Sequence, residues 1–183
     1  MKNDLLINNS NGILDITFNR PDRKNAISRS MFEELLEVLE KNIYNSNLRA
    51  IFLSGSGDSF SAGGDVKDMA SREDPSTLQE KTDALRKLME ISRMLYTSPV
   101  PTVAVIDGVA AGAGFALSLA CDFIISTELG KFTTAFSKVG FSGDFGISYF
   151  LSKTVGLSKA KELLFFSEVL SAHDAEKLGI INY

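Results

Sequence analysis

The sequence predicts an α/β fold built on a mostly parallel sheet, and three observations carry that reading. Strand-like and helix-like segments alternate along the chain, the pattern of sheets covered by helices. Two strand-like runs, 49–54 and 102–107, are apolar through their centres, as strands buried on both faces are. Two loops of small residues, 55–64 and 108–114, each follow one of these runs and each lead into a helix. The 183 residues are 44% hydrophobic and 23% charged, an ordinary globular mixture for a single domain spanning 1–183.

Segments 5–8 and 12–19 read as two strands turned through 8–12. In the second, Leu14, Ile16 and Phe18 alternate with Asp15 and Thr17, so one face meets a core. After Pro21, Ser30 and Glu33 are spaced as a capping box, and Phe32, Leu35, Leu36, Leu39 and Ile43 follow at helical spacing. Residues 71–75 form a polar break. A second long helix is predicted over 76–96, with Leu78, Leu85, Leu88, Ser92 and Leu95 along one stripe. Pro99 and Pro101 stop it, because proline offers no amide to a helix. A nearly all-apolar helix covers 115–121 and a strand 122–126. Three short helical pieces come next, the last over 171–178 between a serine cap and Gly179. The run 180–182 reads as a strand with nothing predicted to cover it, so self-association at that edge is expected.

Composition excludes several functions. Lys plus Arg number 19 against 23 Asp plus Glu, a net charge of −4, whereas a nucleic-acid surface needs a basic excess. One Cys and one His leave neither a disulfide framework nor a zinc cluster. No apolar run reaches the ~18 residues of a membrane helix, and MKNDLLINN lacks the apolar centre of a signal peptide. A cytoplasmic protein with no nucleic-acid or membrane partner is therefore expected. Gly112-Ala113-Gly114 invites a dinucleotide fingerprint, but Leu117 stands where the third glycine belongs. Neither small-residue loop ends in Lys-Ser or Lys-Thr, and G-x-S-x-G is absent. His173 sits in a short polar helix, where a solvated imidazole is expected.

The pair of small-residue loops is the unusual feature. Loops without bulky side chains bring backbone amides close to a ligand. Two of them can aim two amides at one oxygen, which makes an oxyanion hole. Spacing alone leaves open that small residues merely permit tight turns.

The residues themselves narrow this. Phe60-Ser61-Ala62-Gly63-Gly64-Asp65-Val66 resembles the signature loop of the crotonase family, the enoyl-CoA hydratases and isomerases. Asn19-Arg20-Pro21 with Lys24-Asn25-Ala26 is similar to that family's opening motif. The stretch 108–114, followed by Ala120-Cys121-Asp122, is similar to its second loop. The order and spacing match over essentially the whole chain. The resemblance implies a crotonase-like ββα spiral, closed in the family by C-terminal helices that also build a homotrimer; that segment is missing from this sequence. It implies acyl-CoA thioester chemistry with no cofactor beyond the coenzyme A of the substrate itself. The backbone amides of Gly64 and Ala113 would hold the thioester oxygen. Lys24, Asn25 and Ala26 would wrap the CoA. Ala62, Gly63, Gly64, Asp65 and Val66 would lie against its pantetheine and adenine. Arg23, Lys24 and Lys67, in a basic set that includes Arg20, would meet its phosphates.

Hydratases of this family use two glutamates, and the matching positions here hold Ala116 and Phe136. Water addition needs an acid and a base acting together, so hydration is not expected. The segment 135–144 is instead similar to two isomerase branches, one moving the double bond of an enoyl-CoA and one acting on phenylacetyl-CoA-derived substrates. In both, a carboxylate stands where Asp144 stands. Isomerisation needs only one carboxylate, which takes the proton next to the thioester and returns it two carbons along. Asp144 is thus the expected catalytic side chain. Its neighbours also suit it to cap a helix beginning at Phe145. Two further readings remain: a dehalogenase or hydrolase with Asp144 as nucleophile, and a non-catalytic acyl-CoA-binding protein. The pocket wall is expected to include the 71–96 helix.

Overall fold

The computed structural model describes residues 3–71 and 75–183. β1 (Leu5–Ser10) and β2 (Ile13–Phe18) form an antiparallel hairpin. From there the chain repeats one unit three times: a strand, a shorter strand, then helix. The first strands, β3 (Ala50–Gly55), β5 (Thr102–Ile106) and β7 (Phe123–Ser126), extend the hairpin into a five-stranded sheet ordered β1-β2-β3-β5-β7, parallel from β2 onward. The second strands, β4 (Ser59–Ser61), β6 (Val109–Ala111) and β8 (Lys131–Thr133), build another sheet, which ends on antiparallel β9 (Leu170–Ser171). Helix α1 (Arg29–Asn42) follows the hairpin, α2 (Val66–Ser71) and α3 (Leu78–Tyr96) follow β4, and α4 (Ala113–Leu119) follows β6. Helices α5 (Ile147–Val155) and α6 (Leu157–Phe166) follow β8, and α7 (Ala172–Lys177) follows β9. This is the ββα spiral that the resemblance implies.

Of the three-residue strands of the second sheet, β4 and β6 lie inside what read as loops and β8 in the stretch read as short helical pieces, because three residues show no periodicity. The turn from β5 into β6 explains one of their glycines. Gly108 has φ +75°, and a Cβ there would fall on the Asp58 carbonyl, so the chain crosses from one sheet to the other only with glycine at that point.

The core lies under α1. Leu14 and Ile16 of β2 pair in register with Ile51 and Leu53 of β3, and all four are buried. Met31, Phe32, Leu35, Leu36 and Leu39 of α1 are buried as well. Phe18 meets Phe60 of β4 edge to face at 5.5 Å, which ties the two sheets together.

Three local expectations are corrected. Helix α1 is capped by Ser28, whose hydroxyl accepts from the Met31 amide at 3.3 Å; Ser30 bonds Ser28 and Glu33 pairs with Arg29 at 2.9 Å. A capping box forms at α3 instead, between Thr77 and Glu80. The α3 stripe enters the core only in its second half, at Ile91, Ser92, Met94 and Leu95. Leu78 and Leu85 are exposed, because the first half of α3 faces open space. At 180–182 there is no strand, yet Ile180 and Ile181 are buried. The Asn182 amide donates to Ile124 O and the Ser126 amide to Tyr183 O, both at 2.9 Å, so this stretch covers the edge of β7. Of the polar break at 71–75, residues 72–74 lie outside the described residues.

Candidate active site

The first small-residue loop is laced to the segment that precedes α1. The Ala62 amide donates to Lys24 O at 2.8 Å, Ile27 to Gly63 O at 2.8 Å, and Asp65 to Ile27 O at 3.0 Å. Buried Asn25 braces the turn: its carbonyl accepts from the Arg20 amide at 2.8 Å, and its amide group donates to Ser56 O and Ser59 O at 2.9 and 2.6 Å. The Gly64 amide is left out of this ladder. Against this loop lies the second one, backbone to backbone. Gly63 has φ +91°, and a Cβ there would sit 2.8 Å from Ala111 O and 3.2 Å from Ala113 N. Any larger residue would push the loops apart. Ala113 is the first residue of α4, so its amide has no partner within the helix. Among the described residues neither the Gly64 nor the Ala113 amide donates to a protein acceptor.

An ion pair holds the loop from beneath. Asp65 is buried, with Arg20 at 3.0 Å and Arg23 at 3.3 Å, and it accepts from the Asp68 amide at 3.1 Å. Burial alone would raise its pKa, but the Asp68 amide and the two guanidinium groups hold the carboxyl below its ordinary range. Arg20 also donates to Ala26 O at 2.7 Å. This changes the assignment of the basic set: Arg20 is spent inside the fold, because its guanidinium balances a buried carboxylate. Arg23 is shared with Asp65, whereas Lys24 and Lys67 are exposed and carry no ion pair among the described residues. Asp65→Ala would leave Arg20 only Asp4, at 3.6 Å, as a counter-charge. It is expected to destabilise by less than the ~3–5 kcal/mol of a fully uncompensated buried charge, read by urea unfolding at neutral pH. Because the folded pKa of Asp65 is depressed, its contribution is present above the ordinary carboxylate value and is lost as pH falls through the folded one.

Asp144 stands on a strained turn. Gly143, Phe145 and Gly146 have φ of +95°, +48° and +77°. The left-handed conformation is costly for phenylalanine, and the Phe145 ring is held by stacking on Phe32, 4.6 Å between centroids. These positive dihedrals also decide against the capping role. Helix α5 begins only at Ile147 and has no side-chain cap; its Ile147 amide bonds the main-chain oxygen of Asp144 at 3.1 Å. The Asp144 side chain instead turns to a cavity, with a buried Oδ1 that has no hydrogen-bond partner. Burial, opposed only by its own backbone amide, pushes its pKa up to about 6.

That cavity holds about 130 Å³ and is lined by Gly64, Ala113, Phe136, Val139, Phe141 and Asp144, among others. Ala62 and Val66 also border it. Asp144 is the one ionisable group among the described residues that line it. Of the two positions expected to lack glutamate, Phe136 forms part of the wall and Ala116 is buried in α4. A second cavity, of about 400 Å³, lies between α1 and α3 and also reaches Asp144. Sequence reasoning did not single out Phe32 or Met69 as its lining; the helix over 71–96 was expected in the pocket wall, and its Leu85 and Leu88 line this cavity. Exposed His173 lines neither cavity. Burial pushes the Cys121 thiol up to about 12, and it lines neither cavity.

A sequence profile described as enoyl-CoA hydratase/isomerase matches residues 8–183. The chain belongs to the enoyl-CoA hydratase/isomerase family. A probable enoyl-CoA hydratase of Rhodobacter capsulatus is 33% identical over 172 residues, 94% of this chain and 65% of its own length. A trans-2-decenoyl-[acyl-carrier-protein] isomerase of Streptococcus mutans is 30% identical over 178 residues, 97% of this chain and 68% of its own. A solved structure of this family from Streptomyces coelicolor superposes with a TM-score of 0.93 at 32% identity, covering 98% of this chain and 66% of that one. The chain thus spans about two thirds of the length of these family members. Among the described residues no helix is long and apolar enough to cross a membrane.

Proposed function

We propose that the chain isomerises the double bond of an enoyl-CoA thioester, with Asp144 as the single base and acid and the Gly64 and Ala113 amides as the oxyanion hole. The observation that carries this is the content of the inner cavity: two unpartnered amides and one ionisable side chain, a carboxylate, among the described residues. The amides stabilise the enolate that forms when a proton leaves the carbon next to the thioester. Asp144 takes that proton and delivers it two carbons away. An unpartnered carboxyl whose pKa is pushed up to about 6 is a better base for carbon than an ordinary aspartate. Hydration would need a second proton carrier, and neither Phe136 in the wall nor Ala116, buried in α4, offers one. A nucleophilic dehalogenase reading finds no support from His173, which lies on α7 outside the cavities. The decisive experiment is turnover of a 3-enoyl-CoA to the 2-enoyl isomer; a chain that binds the thioester without turnover is a carrier, not an isomerase. Crotonyl-CoA hydration is expected to stay far below a typical enzymatic ~10 per second.

The CoA phosphates are assigned to Lys24 and Lys67, with Arg23 contributing in part. Surface pairs of this kind are screened by salt. Calorimetric titration with acetyl-CoA is therefore expected to show binding that weakens as salt rises, and salt-independent binding would remove the two lysines from the site.

A further inference from the structure

The inner cavity is small. At about 130 Å³ it falls below the ~300–1,000 Å³ of a pocket that holds a whole drug-sized ligand, so it does not take a long acyl chain by itself. The second cavity, about 400 Å³, is three times larger. Phe32, Met69, Asp144 and Phe145 line both, so the two spaces meet at the carboxylate. Beyond that junction the lining turns apolar on one side, with Ile27, Ala84, Leu85 and Leu88, and charged on the other, with Arg29, Asp65, Asp68 and Lys81. Helix α3 gives the second observation. Its apolar stripe is continuous in sequence, yet Leu85 is 40% exposed while Ile91 and Leu95 seal the core. Leu88 packs against the core and also borders the cavity; a helix that offers apolar side chains to an open cavity is suited to an apolar ligand.

We infer that the two cavities form one acyl channel, and that the substrate is an extended aliphatic acyl thioester of about eight carbons or more rather than a short or compact aromatic one. This rests on the isomerase reading above for where the thioester sits. With the carbonyl oxygen at Gly64 and Ala113, the first carbons fill the inner chamber and pass Asp144, where the double bond moves. The tail runs on between α1 and α3 over Ala84, Leu85 and Leu88. Met69 stands at the junction: its methyl group lies where a Cβ on Gly64 would come within 3.2 Å. A flexible, unbranched thioether at that place yields to a chain passing it. A six-membered ring attached close to the thioester would have to fit within the inner chamber, whose walls are the rings of Phe136, Phe141 and Phe145.

The test measures affinity separately from catalysis. Saturated butyryl-, hexanoyl-, octanoyl- and decanoyl-CoA are titrated calorimetrically into the whole chain and into Ala84→Trp, which fills the outer chamber from α3. Each methylene that leaves water for an apolar wall tightens binding by up to about fourfold, so decanoyl-CoA is expected to bind at least ~30-fold more tightly than butyryl-CoA. Ala84→Trp is expected to erase most of that gain and to leave butyryl-CoA within about twofold. Should the tryptophan variant unfold in a melting scan, Leu88→Asn reads the same contact, by lowering decanoyl-CoA affinity and sparing butyryl-CoA. Affinity that stays flat from four to ten carbons overturns the channel, as does a chain-length gain that both variants retain, and as does absence of binding to every thioester. A rising series without turnover of any 3-enoyl-CoA would instead refute the isomerase reading and leave the channel standing.

Discussion

Asp144→Asn is expected to lower isomerisation of a 3-enoyl-CoA by ~10²–10⁴-fold, the usual consequence of losing a general base. The substitution keeps the shape of a side chain that lines both cavities and removes only its ability to take a proton. Affinity for saturated acyl-CoA should hold, since binding rests on the backbone amides, the lysines and the apolar walls. Stability gives an independent reading with the opposite sign. The Asp144 carboxyl is pushed from 3.8 up to about 6 by burial, so the folded state prefers it protonated. That preference stabilises the fold fully below the ordinary value of 3.8 and is lost as pH rises through about 6. At pH 7 to 8 the Asn variant, which carries no charge to bury, should therefore melt at or above the temperature of the parent. A catalytic residue that costs stability in its working form fits this pattern. Activity in the parent is expected to climb with pH through about 6 and to level above it, since only the ionised carboxylate is a base. An inverted profile would assign Asp144 the role of acid alone.

Ala113→Pro is expected to reduce kcat/KM by ~10²–10³-fold, the effect of removing one donor from an oxyanion hole. Ala113 is the first residue of α4, a position where proline is tolerated because the missing amide has no partner in the helix. The substitution thus removes the donor with little damage to the helix, and it places a methylene where the amide hydrogen pointed. Ala113→Gly keeps the amide and serves as the control, with activity expected within a few-fold of the parent. Equal loss in both variants would mean that the packing of the two loops, not the amide, is what matters at this position.

How far the sequence disclosed this molecule depended on whether the information was periodic, local or spread across the chain. The stripe of α1 and the alternation of β2 were legible because a core imposes a repeat on them: Leu35 and Leu39, like Leu14 and Ile16, are buried. The second sheet was hidden, because β4, β6 and β8 are each three residues long. The start of α1 was displaced by two residues, since Ser28 and Ser30 are equally good caps on paper and Arg29 claims Glu33. Asp144 stood out, yet its helix-capping alternative was removed only by the positive dihedrals of Phe145 and Gly146, which a phenylalanine in sequence does not announce. Arg20 read as a surface cation. Its partner Asp65 lies 45 residues away, and only folding shows that the charge is buried and balanced. The helix over 71–96 was legible as pocket wall because its apolar stripe is periodic, and Leu85 and Leu88 line the outer cavity.

The central claim is that one shielded carboxylate carries the proton from one carbon to the other. It is tested most directly by following a 3-enoyl-CoA dideuterated at the carbon next to the thioester, incubated with the chain in ordinary water, by NMR of the 2-enoyl product. The account predicts that a measurable fraction of the product carries deuterium two carbons along, at the position Asp144 reprotonates. Product whose new hydrogen comes wholly from water, or product that carries a hydroxyl, would contradict it.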